Sequence, residues 1–345
     1  MIDFRYHLVS IVAVFLALAI GIVVGATALA PKTTALLEKA SKHEQQQISS
    51  ARTTIRSLQG QIGADQALAQ SAAPLLIGNL LEGQRVVLVT APGADGSTVN
   101  GVSTVLKQAG AKITGQAVLQ PAFFDTSAST QNSLDALAQK VAPPASPPYI
   151  QTAQPDPDTQ IAGQQQAAQV IAPALVTKDA PGDMSATQAN QVLDGFASEG
   201  FLQLNLPSGA TSMTQATLAV VVTSATPPAA GDTDPANLAL LSLAEQLKMD
   251  GHGVVLAGKL SGSGAGSAID ELINGSTGIQ LSSVDDADTV IGQVLVAQAL
   301  SYALAGQKPA SYGVDTGLVP SPAPTPSPTP SPTPSASSKL SRSGA

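Results

Sequence analysis

Cysteine and tryptophan are both missing from this chain of 345 residues. Without cysteine there is no disulfide, no thiolate metal site and no cysteine nucleophile, and redox chemistry marks neither side of a membrane. Aromatic residues make up 3% of the chain and charged residues 12%, the latter about half the share of an ordinary soluble domain. Lys and Arg number 16 against 24 Asp and Glu, a net charge of −8. No basic surface dense enough for nucleic acid can be assembled from that. His7, His43 and His252 lie far apart, and Met1, Met184, Met213 and Met249 show no clustered spacing. Neither imidazole nor sulfur is grouped for copper or another metal. What is abundant is apolar and small: 43% of residues are hydrophobic, many of them alanine, so a folded core must pack short aliphatic side chains.

The largest apolar run sits at the start. Residues 8–30 carry no charge, and Ser10 and Thr27 are their only hydroxyls. As a helix this run reaches about 34 Å, enough for the ~30 Å hydrocarbon layer, and it satisfies its own backbone groups there. Gly21 and Gly25 form a G-x-x-x-G pair, either a close helix contact or ordinary membrane glycine. The alternative is a cleaved secretory signal. Against it, Pro31 would follow the Ala28-Leu29-Ala30 site, the run is long, and Asp3 and Arg5 replace a cationic cluster. Residues 1–7 are therefore read as a short cytoplasmic segment and 8–30 as a retained anchor in the plasma membrane. Lys32, Lys39 and Lys42 follow the span and Arg5 precedes it, so charge does not settle orientation.

Residues 31–72 read as a helical neck. Ile48, Ala51, Ile55, Leu58 and Ile62 fall at heptad spacing, with Ser41 and Glu44 on the same stripe. Such a seam suits a coiled-coil homodimer; the other reading is a helix that packs on the domain behind it. Gly60 and Gly63 are expected to weaken its end.

After Pro74 the pattern changes, and residues 75–315 read as an α/β domain. Arg85–Thr90 is a buried-strand run, Ser97–Ala109 a helix stopped by Gly110, and Ala111–Leu119 a second strand, together a βαβ unit. Leu218–Thr223 and Gly253–Gly258 read as strands around a helix over Asn237–Met249, and Asp285–Ala305 holds a last helix. These segments predict a three-layer, Rossmann-like domain with a mostly parallel sheet. The proline-rich stretch from Pro143 to Pro157 reads as a surface excursion.

Ligands of such folds bind beyond strand C-termini, yet the loops there carry weak signals. Gly93-Ala94-Asp95-Gly96 lacks the three-glycine dinucleotide pattern, and no G-K-[ST] occurs. Lys259, Gly262 and Gly264 follow a strand, where backbone amides would cradle an anion unless the loop is a plain surface turn. Ser97, Thr98 and His252 offer a nucleophile and a base without the elbow motif that positions them. Asp95, Asp285, Asp286 and Asp288 are acidic loop candidates, the latter pair explicable as caps of the last helix. No catalytic constellation, cofactor motif or metal site emerges, and the chain reads as a non-enzyme. From Val319 the repeated Pro with Ser and Thr favours extended, disordered backbone over 316–345. Tails of this kind belong to exported proteins, which places the body outside the cytoplasm.

The opening MIDFRYHLVSIVAVFLALAIGIVVG closely resembles the actinobacterial MctB family, named for mycobacterial copper transport. The resemblance continues to Ser283-Val-Asp-Asp-Ala-Asp288 and to Gly313. It implies an envelope protein concerned with copper homeostasis or transport. A related corynebacterial protein, SteB, resembles a single-span coiled-coil partner in envelope growth and division, which implies a scaffold or regulator as the alternative. No copper-ligand motif of the family can be carried onto particular residues. Phe4, Arg5, Tyr6 and His7 are the candidate contact for a partner on the cytoplasmic side, with interfacial anchoring as the simpler role.

Overall fold

The computed structural model describes residues 4–143, 161–178, 184–226, 234–274 and 277–314, and within its first helix the side chains of 6–25 and 42–77. The tail over 316–345 and residues 144–157 of the proline-rich stretch lie outside the described residues. Two compact units divide the chain, residues 1–68 and 69–345.

The first unit consists of helix. Helix α1 runs from Phe4 to Ile77, so Phe4, Arg5, Tyr6 and His7 form its first turns. Within it Tyr6–Gly25, 20 residues, is long and apolar enough to cross a membrane. Ile48, Ile55, Leu58 and Ile62 are each more than half exposed. Gly60 and Gly63 lie within the helix, which continues through both. A glycine costs only about 1 kcal/mol against alanine in a helix, and a long flanking helix absorbs it.

The second unit begins before Pro74, not after it. Ala73 and Ile77 are buried in the body's core. Among the described residues seven strands follow: β1 (Arg85–Thr90), β2 (Lys112–Leu119), β3 (Leu202–Asn205), β4 (Leu218–Val222), β5 (Gly253–Ala257), β6 (Ser282–Val284) and β7 (Ser311–Tyr312). Their order is β3-β2-β1-β4-β5-β6-β7, all neighbours parallel except β2 with β3. The sheet is open, with β3 and β7 at its edges.

Alternate strand residues feed two apolar layers. Val86, Leu88, Val220, Val222 and Val255 join helices α2 (Gly96–Gln108) and α8 (Val290–Leu304) and the end of α1. Val87, Val89, Ala219, Val221, Val254 and Leu256 join α3 (Ala128–Val141), α4 (Ala162–Leu175), α5 (Ala186–Ser198) and α6 (Pro235–Asp250). Helices therefore cover both faces, which is why β1, β4 and β5 read as unbroken apolar runs.

Helices α3, α4 and α5, the short helix α7 (Ala268–Asn274) and strands β3, β6 and β7 were not expected. Helix α4 carries Pro173 in its last turn and buries Gln164 completely. That amide donates to Phe123 O and Asp125 O and accepts from Gln131 Nε2, so a polar residue stands where a periodicity argument looks for an apolar one. The last helix occupies Val290–Leu304, within the expected Asp285–Ala305 stretch: Asp285–Asp288 form the loop between β6 and α8, and Thr289 is the N-cap.

Candidate functional site

Strand order reverses direction between β1 and β4, the place where open α/β sheets bind ligands at the strands' carboxyl ends. A cavity of about 360 Å³ lies there, its wall including Pro92, Phe124, Thr223, Asp234, Asn237, Leu240 and Ser267. A second hollow on the other side of Ala91, Pro92 and Pro121 reaches Thr90, Asn100 and Gln116.

The helix N-termini around these hollows are already capped by carboxylates and hydroxyls of this chain. Asp95 accepts from Thr98 N and Thr98 Oγ1, each at 3.0 Å, and from Ser97 Oγ. The Ser97 bond, then the bonds from the Thr98 amide and hydroxyl, hold its carboxyl down at about 2, with Lys259 adding attraction. A phosphate at the start of α2 would meet that carboxylate, so the fixed partial charge that binds anions in related folds is spent internally. Asp125 is lowered for the same reason, through the Ser127 amide first and then the Thr130 and Ser127 hydroxyls. Asp234 Oδ1 accepts from Ala236 N at 2.9 Å and caps α6.

The acidic loop after β6 behaves differently. Asp285 and Asp286 are almost fully buried. Asp285 Oδ1 accepts from Val314 N at 2.8 Å, and Gly313, at φ +129°, leaves no room for a Cβ beside that carboxylate. Asp286 is not the cap of α8; that bond is made by Thr289 Oγ1 with Gly292 N at 2.9 Å. Asp286 instead lies against Gly292, its Oδ1 without a partner. Burial first, then the neighbouring Asp285, push its carboxyl above the ordinary range. Asp288 Oδ1 accepts from Leu260 N at 3.1 Å.

That last bond bears on Lys259, Gly262 and Gly264. The amides of Leu260, Gly262, Ser263, Gly266 and Ser267 all donate within the chain, so those amides are not open to an anion. The loop is also not loose. A Cβ on Gly262 would strike Ser224 O and Ala225 O, because the loop presses on the chain leaving β4. The serine–histidine idea fails on geometry: Ser97 and Thr98 stand beyond the carboxyl end of β1, whereas His252 precedes β5, its Nε2 2.7 Å from Lys178 O. Met184 and Met213 are packed in the core and Met249 is half exposed on α6. Among the described residues no group of three His, Cys, Asp or Glu is placed to hold a metal ion.

Residues 1–320 match the family described as copper transport outer membrane protein, MctB. The chain belongs to that family. It is 27% identical over 322 residues to the copper transporter MctB of Mycobacterium leprae, covering 92% of this chain and 98% of the relative. The copper transporter MctB of Mycobacterium tuberculosis is 27% identical over 323 residues at the same coverage. The fold joins two of the segments through which the sequence resembles MctB proteins: Asp285, from the acidic loop, closes on Gly313 at the end of the body. This contact is structural, since a carboxylate engaged with a backbone amide and a glycine is holding β7 in place.

Thr223, Asp234 and Phe124 escaped the reading of loops. Thr223 ends a strand run, Asp234 follows a Pro-Gly-rich stretch, and Phe124 sits in a short turn after β2. The signal that unites them is strand order, which one sequence does not display.

Proposed function

We propose that this MctB-family chain is a single-span envelope protein serving copper homeostasis as a non-enzymatic binding and regulatory component rather than as the conduit. Its N-terminus lies in the cytoplasm and its body outside, in keeping with the Ser/Thr-Pro tail. The names of its relatives support the copper role. The observation that carries the distinction is the apolar span: among the described residues Tyr6–Gly25 is the one candidate crossing, and its face offers no polar lining for a hydrated ion. The open sheet of the body, with two edges, does not close into a barrel.

The neck acts as a parallel homodimer in this reading. Two copies inserted in one membrane must run side by side in the same direction. β-Branched Ile at 48, 55 and 62 with Leu at 58 then gives the core preferred by two-stranded parallel coiled coils. The exposure of this seam on a single chain favours that pairing. The exposed Tyr6 and His7, with Phe4 and Arg5, suit contact with a cytoplasmic-side protein, and this favours envelope scaffolding as the second reading.

The test is cellular copper content in a strain lacking the chain, complemented with the parent or with Ile55→Asp. The parent should restore low copper, and the variant should not, although equally inserted. Full restoration by Ile55→Asp would overturn the role of the paired neck.

A further inference from the structure

The seam of the neck carries charge at both of its ends. With Ile48, Ile55 and Ile62 at heptad position a and Ala51 and Leu58 at d, the same count puts Glu44 and Asp65 at d. Both carboxylates are exposed on α1, as are Ile48, Ile55, Leu58 and Ile62 between them. Of the e and g positions from 45 to 61 only Arg52 is charged; the others are Gln45, Gln47, Thr54, Gln59 and Gln61. Arg52 lies eight residues from Glu44 and thirteen from Asp65, about 12 and 20 Å along a helix, so it neutralises neither. Lys42, His43 and Arg56 fall at b and c, off the seam, and the His43 ring is 3.2 Å from Gln47 Nε2. Ala40 and Ser41, the residues four and three before Glu44, carry no charge. Gln61, Ile62, Leu68 and Ala69, at the same spacings around Asp65, carry none either.

In a parallel dimer each d residue faces its own counterpart across the two-fold axis. Glu44 then meets Glu44 and Asp65 meets Asp65, one like-charged pair at each end of the apolar seam. Two carboxylates held side by side repel until one takes up a proton, which the pair then shares in a hydrogen bond. We propose that the neck is a proton-linked dimer, loose while Glu44 and Asp65 are charged and closed from 44 to 65 when each pair binds one proton. This rests on the parallel pairing of the neck and sets the condition under which that pairing tightens. The apolar stretch from Ile48 to Ile62 covers only about two heptads, so two repelling pairs weigh heavily against its burial. No cation on the seam stands close enough to relieve them.

The experiment is energy transfer between full-length chains in liposomes, labelled with pH-insensitive dyes at Ser57→Cys. Ser57 is exposed at the outward c position, and the chain has no other cysteine. Diluting the protein in lipid, near neutral pH and at about pH 4.5, gives the pairing constant at each. The parent seam should pair at least about tenfold more tightly in acid. Glu44→Gln with Asp65→Asn keeps size and polarity but removes both charges. That variant should pair at neutral pH as the parent does in acid, and respond little to pH. Ile55→Arg should show no transfer at either pH, which separates seam pairing from aggregation in acid. Equal pairing of the parent at both pH values would leave the dimer standing and overturn the proton link. An acid response that persists in the doubly neutral variant would belong to another group, His43 first, and would overturn it as well. Absence of transfer in parent and neutral variant alike, or undiminished transfer in Ile55→Arg, would remove the paired neck itself and this inference with it.

Discussion

Replacing Gly313 by alanine should damage the body more than its position near the end of the fold suggests. The backbone there has φ +129°, and an added Cβ would enter the Asp285 carboxylate, with Oδ2 3.0 Å away and Cγ 2.5 Å. Asp285 cannot easily retreat: it is 2% exposed and holds Val314 N at 2.8 Å. A side chain in that backbone region costs about 1–3 kcal/mol, and overpacking a filled site costs about 1–3 kcal/mol more. The sum, roughly 2–6 kcal/mol, corresponds to a Tm lowered by about 6–18 °C in a domain of this size. Gly101→Ala is the control. There the Cβ meets the flexible end of Gln293, which swings aside, and alanine recovers about 1 kcal/mol of helix propensity. Pulse proteolysis of the full-length chain across urea, with a thermal melt, reads both variants. A Gly313→Ala protein within about 2 °C of its parent, or a Gly101→Ala protein that loses more, would refute the reasoning.

Asp286, raised by burial and by Asp285, gives a pH prediction. A carboxyl whose folded pKa is raised lends stability below its unfolded value, and that stability is lost as pH climbs from about 4 through the folded pKa. Asp286→Asn removes this loss, so its urea midpoint should gain on the parent progressively toward neutral pH; a gap that shrinks with pH would contradict it. Thr289→Ala removes the cap bond to Gly292 N and should cost about 1 kcal/mol in the same unfolding assay. Because the chain has no cysteine, Ile55→Cys introduces one thiol on the seam and Arg56→Cys one beside it. Mild oxidation in membranes should give a covalent dimer with the first and far less with the second, and equal yields would count against the seam.

The parts of the fold visible in the sequence are those where burial leaves a strong signature. Strands β1, β4 and β5 are apolar on both faces, and α2 and α6 follow them with a Gly stop or a leucine pattern. Helices α3, α4 and α5 were hidden because Ala, Gln and Ser give little contrast between faces, and because the buried Gln164 satisfies its amide through the turn after β2. The edge strand β3 is four residues long with half its side chains exposed, too short for alternation to be seen. The glycine-rich loop around Gly262 was read as a source of open amides, whereas its glycine allows close packing on Ala225. Asp286 looked like a helix cap from its spacing; the hydroxyl one turn nearer, on Thr289, takes that bond. Thr223 became conspicuous only when strand order placed it at the switch point and burial left its hydroxyl unpaired.

The central claim is that this MctB-family chain serves copper homeostasis without itself forming the path for the ion. Copper flux into liposomes carrying the purified full-length protein tests it most directly. The account predicts flux no greater than in protein-free liposomes; copper-selective flux that rises with the amount of protein would contradict it.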